Sequence, residues 1–315
     1  MIGKDINMAA SLLTAGEIVG IPTETVYGLA ANALDEVAVS KIFTIKNRPT
    51  FDPLIIHTSS IERMMDYVVE VPDPLLKLAQ VFMPGPLTLL LPKKENISDL
   101  VTAGSSQVAV RIPDHRLTRS LLKLLPFPLA APSANPFGYI SPTTAWHVDK
   151  QLGEKIPYIL DGGSCLVGVE STIVGINDDK VTVFRKGGIS LEKIRAVIGE
   201  IEVITHSSSN PAAPGMLENH YASRHPLVID DVDKILPRYE TERVGVIVFK
   251  KPVDTIPIQN QIILSPTGNF EEAARNLFSG MRTLDALDLD VILAFLLPEE
   301  DLGVAINDRL RRASV

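Results

Sequence analysis

The chain has 315 residues, 45% of them hydrophobic and 22% charged, enough to bury one large core or two smaller ones. A formal net charge of −8 argues against a protein held on nucleic acid mainly by phosphate contacts, which draw on a basic surplus. The single cysteine, Cys165, excludes an intramolecular disulfide, and no Cys/His spacing would cage zinc.

Residues 1–20 carry Lys4, Asp5 and Glu17 and have no basic lead before an apolar core, so no signal peptide is expected. The longest apolar runs, such as 291–297, fall well short of the roughly 20 residues of a membrane helix, so a soluble, cytoplasmic protein with no membrane association is expected. Residues 6–15 have helical apolar spacing, and 17–23 read as a strand stopped by Pro22. Asp35 is placed to cap a helix that runs to about Lys46. Strands are expected at 53–58, 87–92, 107–113, 127–133, 158–163, 170–176 and 181–187, with helices near 74–83, 115–124 and 143–152 and another after Gly188. Strands and helices interleaved in this way indicate one α/β domain over residues 1–204. Residues 205–226, dense in Ser, Pro, Ala and Asn, read as a linker or lid. Beyond them, strands at 243–250, 261–266 and 291–298 alternate with helices at 269–288 and 304–314, the pattern of a small open sheet with a parallel core over 227–315.

Chemistry-bearing residues collect where these strands end. "IPTETVYGLAAN" (21–32) gathers Thr23, Thr25 and Tyr27 beside Gly28, a grouping that serves turn capping as readily as ligand binding. Lys46 falls in a last helical turn, where a cation also suits the dipole. Arg48 precedes Pro49, which drives its backbone out of the α region and turns the guanidinium off the helix face, an arrangement suited to phosphate. His57 reads as a half-buried strand histidine. Arg111 shares a strand face with Ala109, opposite Val108, Val110 and Ile112. Ser133 and Asn135, two apart in an extended segment, point the same way; Ser171 and Thr172 add hydroxyls. Arg185 and Lys186 with Gly187 and Gly188 before a helix offer an anion site. No nucleophilic triad, Walker lysine loop or dinucleotide fingerprint is present, so phosphate and carboxylate binding is favoured over covalent catalysis.

"GIPTETVYGLAANA", "KNRP" followed by "PLIIH", "VAVRIP", "AAPSAN", "GVESTIV" and "APGM…HYA" occur in one order, and together they resemble the Sua5/YrdC/YciO family in its two-domain Sua5 form. The resemblance spans the whole chain. It implies an α/β fold: a YrdC-like open twisted mixed sheet with a concave cleft, then a smaller Rossmann-like α/β Sua5 domain. The implied activity is that of a nucleotidyltransferase joining L-threonine, bicarbonate and ATP into threonylcarbamoyl-AMP with release of pyrophosphate. That product would feed the tRNA threonylcarbamoyl transferase machinery, which places t6A37 in tRNAs reading ANN codons. Mg²⁺ would accompany ATP, with no metal ligand implied among the side chains. Carried over motif by motif, the catalytic signature is Lys46, Arg48, Ser133 and Asn135. L-Threonine would meet Thr25, His57, Arg111, Ala131 and Ser171. ATP would meet Arg48, Asp52, Gln107, Ser133, Ser141, Arg185 and Tyr221.

Two departures from the family pattern stand out. Asp52 replaces an asparagine and would set a carboxylate near phosphate unless it turns away or shares a metal. Leu217, Glu218 and Asn219 replace a basic stretch, and Ser223 ends "HYAS" where the family has proline. The resemblance leaves two other readings. One is a double-stranded RNA-binding, YciO-like protein without synthase activity, meeting backbone phosphates on the same concave surface. The other is the carbamoyl-adenylate chemistry of hydrogenase maturation, whose acylphosphatase and zinc-finger modules are not legible in this sequence.

Overall fold

A computed structural model describes residues 1–204, 216, 220–230, 234 and 236–314. Most of the segment expected as a linker, including Leu217, Glu218 and Asn219, lies outside the described residues.

Helix α1 (Ile6–Thr14) starts where the Asp5 carboxylate accepts from the amides of Asn7 and Met8. Helix α2 (Glu36–Lys46) starts in the same way on Asp35, which accepts from Val37 and Ala38. It stops at Asn47, whose left-handed backbone (φ 52°) closes the last turn and sends the chain off the helix axis into Arg48 and Pro49. The further helices of this part are α3 (Ile61–Met64), α4 (Asp73–Phe82), α5 (Asp99–Thr102), α6 (Arg116–Leu124), α7 (Ala145–Leu152) and α8 (Leu191–Ile198). The strands are β1 (Ile2–Gly3), β2 (Val19–Ile21), β3 (Gly28–Asn32), β4 (Ile55–His57), β5 (Leu87–Pro92), β6 (Gln107–Arg111), β7 (Leu129–Ala130), β8 (Tyr158–Leu160), β9 (Thr172–Asn177), β10 (Lys180–Arg185) and β11 (Glu202–Val203). They form one mixed sheet in the order β1-β8-β2-β3-β7-β4-β6-β5-β9-β10-β11.

Residues 21–32, expected to pass from a strand into a loop, instead turn back on themselves. β3 pairs antiparallel with β2, Ile21 opposite Gly28, so the Thr23–Val26 stretch is the tip of a hairpin. β3 reads Gly-Leu-Ala-Ala-Asn and is buried on both faces, so it lacks the alternation that marks a half-exposed strand.

The alternation expected around Arg111 is present. Val108 and Val110 enter the main core with Ile42, Leu78 and Leu89, while Ala109 packs on the opposite face with Ile55, Leu90, Ile173, Phe184 and Met216. The register of β4, β6 and β5 sets His57, Arg111 and Thr88 side by side in one row of that opposite face. This face is the floor of a concave cleft.

The C-terminal part holds a second sheet of β12 (Leu227–Val228), β13 (Val244–Val248), β14 (Gln261–Ile263) and β15 (Val291–Ala294) in the order β12-β15-β13-β14. All three pairings are parallel, as expected of a small open sheet. Its helices are Phe270–Asp285 and Gly303–Ala313. Their core is continuous with the first part: Val26, Ile140 and Val169 pack in one cluster with Tyr221, Leu277, Phe278, Met281 and Leu310. Gly168 (φ 82°) lets the two parts approach, since a Cβ there would lie 2.4 Å from the Arg275 Cα. Arg275 Nε donates to the Leu166 carbonyl at 2.9 Å, and Arg282 Nε to the Ser141 carbonyl at 3.2 Å. Among the described residues no helix is long and apolar enough to cross a membrane.

Candidate functional site

Two loops form the near wall of the cleft. At the hairpin tip Thr23 Oγ1 accepts from the amides of Thr25 and Val26 and lies 2.8 Å from Thr25 Oγ1. Tyr27 donates its hydroxyl to the Gly163 carbonyl at 2.8 Å, and burial pushes its pKa up. The tip is tied to the Ser133 loop: the Leu29 amide donates to the Pro132 carbonyl and the Ala134 amide to the Tyr27 carbonyl, both at 2.8 Å. Lys46 is buried, and its Nζ donates to the backbone carbonyls of Ser133 and Asn135 at 2.5 Å each. Burial and the neighbouring Arg48 hold its pKa well below the usual lysine range. Asn135 donates to the Pro136 and Tyr139 carbonyls at 2.8 Å, while its Oδ1 is buried without a hydrogen bond.

Asp52 is turned away from the cavity. Its carboxylate is fully buried and pairs with Arg48 Nη2 at 2.9 Å, one turn along the chain. Arg48 also donates to the carbonyls of Asp52 (3.1 Å) and Pro53 (2.7 Å), and its guanidinium lies over the Phe137 ring. The departure from the family pattern is therefore matched within the chain by a charge partner.

Along the floor, Arg111 Nη2 pairs with Glu24 Oε1 at 2.7 Å, both side chains nearly free of solvent. His57 beside it is buried, its Nδ1 without a hydrogen bond. Burial first, then Arg111, pushes the imidazole down to about 3, so it is neutral at physiological pH. Thr88 Oγ1 and Ser171 Oγ share a 2.7 Å hydrogen bond, and Arg185 donates to the Ser171 hydroxyl and carbonyl at 3.0 Å each. Burial lowers Arg185 to about 10, which leaves it cationic.

The pKa of His57 predicts a pH effect. The unfolded histidine takes up a proton near about pH 6.5, whereas the folded one refuses it until about 3. Stability therefore rises with pH through that interval, is complete above it, and is lost as pH falls toward the folded value. His57→Gln should flatten the fall in melting temperature between about pH 6.5 and 5. An equally steep profile would assign the effect to another group.

The far wall is built by Glu170, His220 and Tyr221. Ser141, fully buried, donates to Glu170 Oε1 at 2.6 Å. Tyr221 holds a left-handed backbone (φ 71°), uncommon for a bulky residue, and its ring packs 5.2 Å from Phe278. His220 sits edge-on to Tyr221 and Phe137.

The resulting cavity measures about 60 Å³. Of the residues expected at the site it is lined by Thr25, His57, Arg111, Ala131, Ser133, Arg185 and Tyr221. Ser171 stands one hydrogen bond behind, on Arg185. Lys46, Arg48, Asp52, Asn135 and Ser141 are buried around the cavity rather than on its wall. Gln107 opens β6 at the end opposite Arg111 and lies away from it. Glu24 and Glu170, both inside quoted motifs, are not legible as site residues in the sequence, because a carboxylate in an anion-binding pattern signals nothing until its partner arginine is known.

Comparisons with known proteins bear on the fold and the family. Residues 11–187 match a family model, Sua5_yciO_yrdC, described as "Telomere recombination", and residues 189–315 match one described as "Threonylcarbamoyl-AMP synthase, C-terminal domain". A threonylcarbamoyl-AMP synthase of Pyrococcus abyssi is 41% identical over 98% of this chain and 94% of its own length. One of Bacillus subtilis is 39% identical over 98% and 92%. The crystal structure of P. abyssi Sua5 complexed with L-threonine superposes with a TM-score of 0.90 at 40% identity, covering 100% of this chain and 97% of the other. With both parts of the chain matched and both sheets superposed, the chain belongs to the Sua5/YrdC/YciO family, in its two-domain form.

Proposed function

We propose that the protein is an L-threonylcarbamoyladenylate synthase, forming threonylcarbamoyl-AMP and pyrophosphate from L-threonine, bicarbonate and ATP. The observation that carries the reading is that His57, Arg111 and Arg185 line one cavity and are linked behind its wall through Thr88 and Ser171. Full-length relatives named for this activity support it. Arg111 suits the threonine carboxylate, and the neutral His57 Nδ1 suits its ammonium or hydroxyl hydrogens. Thr25 orients the same ligand and Ala131 packs against it, while Ser171 holds Arg185 from behind the wall.

In the chemical step a carbamate oxygen bonds to the α-phosphorus. The bond from that phosphorus to the bridging oxygen breaks, and its electron pair leaves with pyrophosphate. The protein's part is positioning and charge stabilisation, for which Arg185 is the cation at hand. We assign Lys46 and Arg48 to holding the Ser133–Asn135 loop and the Pro49–Pro53 turn in place, rather than to direct phosphate contact. Mg²⁺ carried on the ATP phosphates would neutralise part of their charge.

His220 and Tyr221 form the far wall of the cavity, and over a bound nucleotide this wall would shield the labile carbamate from water. On this reading the enzyme is a cytosolic nucleotidyltransferase whose product passes to the tRNA threonylcarbamoyl transfer machinery. Binding of an RNA duplex gains no support: Lys46, Arg48, Arg111 and Arg185 are all buried, out of reach of a backbone. Purified protein given ATP, Mg²⁺, bicarbonate and L-threonine should release pyrophosphate in proportion to threonine. Equal release without threonine would sink the reading.

A further inference from the structure

Arg309 is the largest fully buried side chain of the described residues, at 0% exposure, and it belongs to the C-terminal helix Gly303–Ala313. It reaches out of the second sheet's core into the cleft wall. Its Nε donates to Glu170 Oε2 at 3.1 Å, with Nη2 also 3.1 Å from that oxygen. Its Nη1 donates to the Lys186 carbonyl at 2.6 Å and lies 3.0 Å from Asp308. The guanidinium also faces the Tyr221 ring, 5.8 Å from its centroid. The other Glu170 oxygen accepts from Ser141, and Glu170 lines the cavity beside Arg185.

Burying an arginine carries a heavy desolvation penalty, and well-packed apolar residues often do as well or better for stability. The surrounding joint is apolar, built from Ile140, Val169, Phe278 and Leu310. A charge here does something that packing would not: it neutralises and orients a carboxylate at the wall where a polyanion would enter.

We propose that Arg309 is a positioning residue of the ATP site, clamping Glu170 against Ser141 so that this carboxylate neither repels the incoming phosphates nor captures Arg185. The C-terminal part then completes the nucleotide site of the first part. The inference rests on the reading of the cleft as an ATP site. It agrees with the state of Glu170, whose burial would raise its pKa but which Arg309, then Arg185 and Ser141, hold down to about 2.

The test is calorimetric titration with ATP and, separately, with L-threonine. Arg309→Met should weaken ATP binding about tenfold or more while threonine binding stays within about twofold. Glu170→Gln in the same background removes the stranded carboxylate and should recover much of the loss. If Arg309→Met is insoluble, Arg309→Lys, which keeps the charge but not the fork, should show the same split at smaller size. Unchanged ATP binding, equal weakening of both ligands, or no recovery in the double variant would overturn the proposal. Failure of the wild type to bind ATP would instead overturn the reading of the cleft.

Discussion

Arg48→Ala should lose about 3–5 kcal/mol of folding stability and, with it, turnover. The expected size follows from what the guanidinium leaves behind. Asp52 is fully buried, and its ion pair with Arg48 is 2.9 Å long. Truncation strands that carboxylate and also removes the donors to the Asp52 and Pro53 carbonyls. An uncompensated buried charge is among the few single-residue changes that reach this magnitude. Arg48→Ala combined with Asp52→Asn should recover a large part of the loss, since a neutral amide is far cheaper to bury. Turnover should not recover with it, because Arg48 backs Phe137, which backs His220 in the cleft wall. Denaturant titration of both variants checks the first claim and pyrophosphate release the second. An Arg48→Ala protein with wild-type stability would show that the buried pair contributes nothing net.

Arg111→Ala should weaken L-threonine binding by about 100-fold, the size of a lost charge-assisted contact in a desolvated site. ATP affinity should change much less, because Arg185 stands at the other end of the floor. Here too the change strands a partner, Glu24, paired at 2.7 Å, so a fall in stability is expected alongside the fall in affinity. Adding Glu24→Gln separates the two effects: stability should return while threonine binding stays weak. Titration with threonine at saturating protein stability decides the point, and near-normal affinity in Arg111→Ala would remove Arg111 from the threonine site.

Both variants turn on features of very different legibility. Asp35 as a helix cap could be read directly, because the cap is an exchange between a side chain and amides two and three residues on. The division of β6 into Val108 and Val110 on one face and Ala109 and Arg111 on the other was equally open, since a strand's period of two is a property of its own backbone. β3 was not, because burial on both faces erases that period. Asp52 carried contradictory expectations, next to phosphate or turned aside, and nothing in its neighbours' identities could choose between them.

The local units, the order of the motifs and, through them, the family are legible in the residue identities alone. The assembled fold sets which polar group meets which: Glu24 with Arg111, Asp52 with Arg48, Ser141 with Glu170 and Glu170 with Arg309. Three of these four pairs join residues 29 to 139 positions apart. Strand order, not chain order, brings them within hydrogen-bond reach, and burial removes the water that would otherwise screen them. Capping and alternation act over a few residues and are written in the sequence. Ion pairing in a desolvated cleft depends on distance in space, which the sheet supplies only once it is assembled.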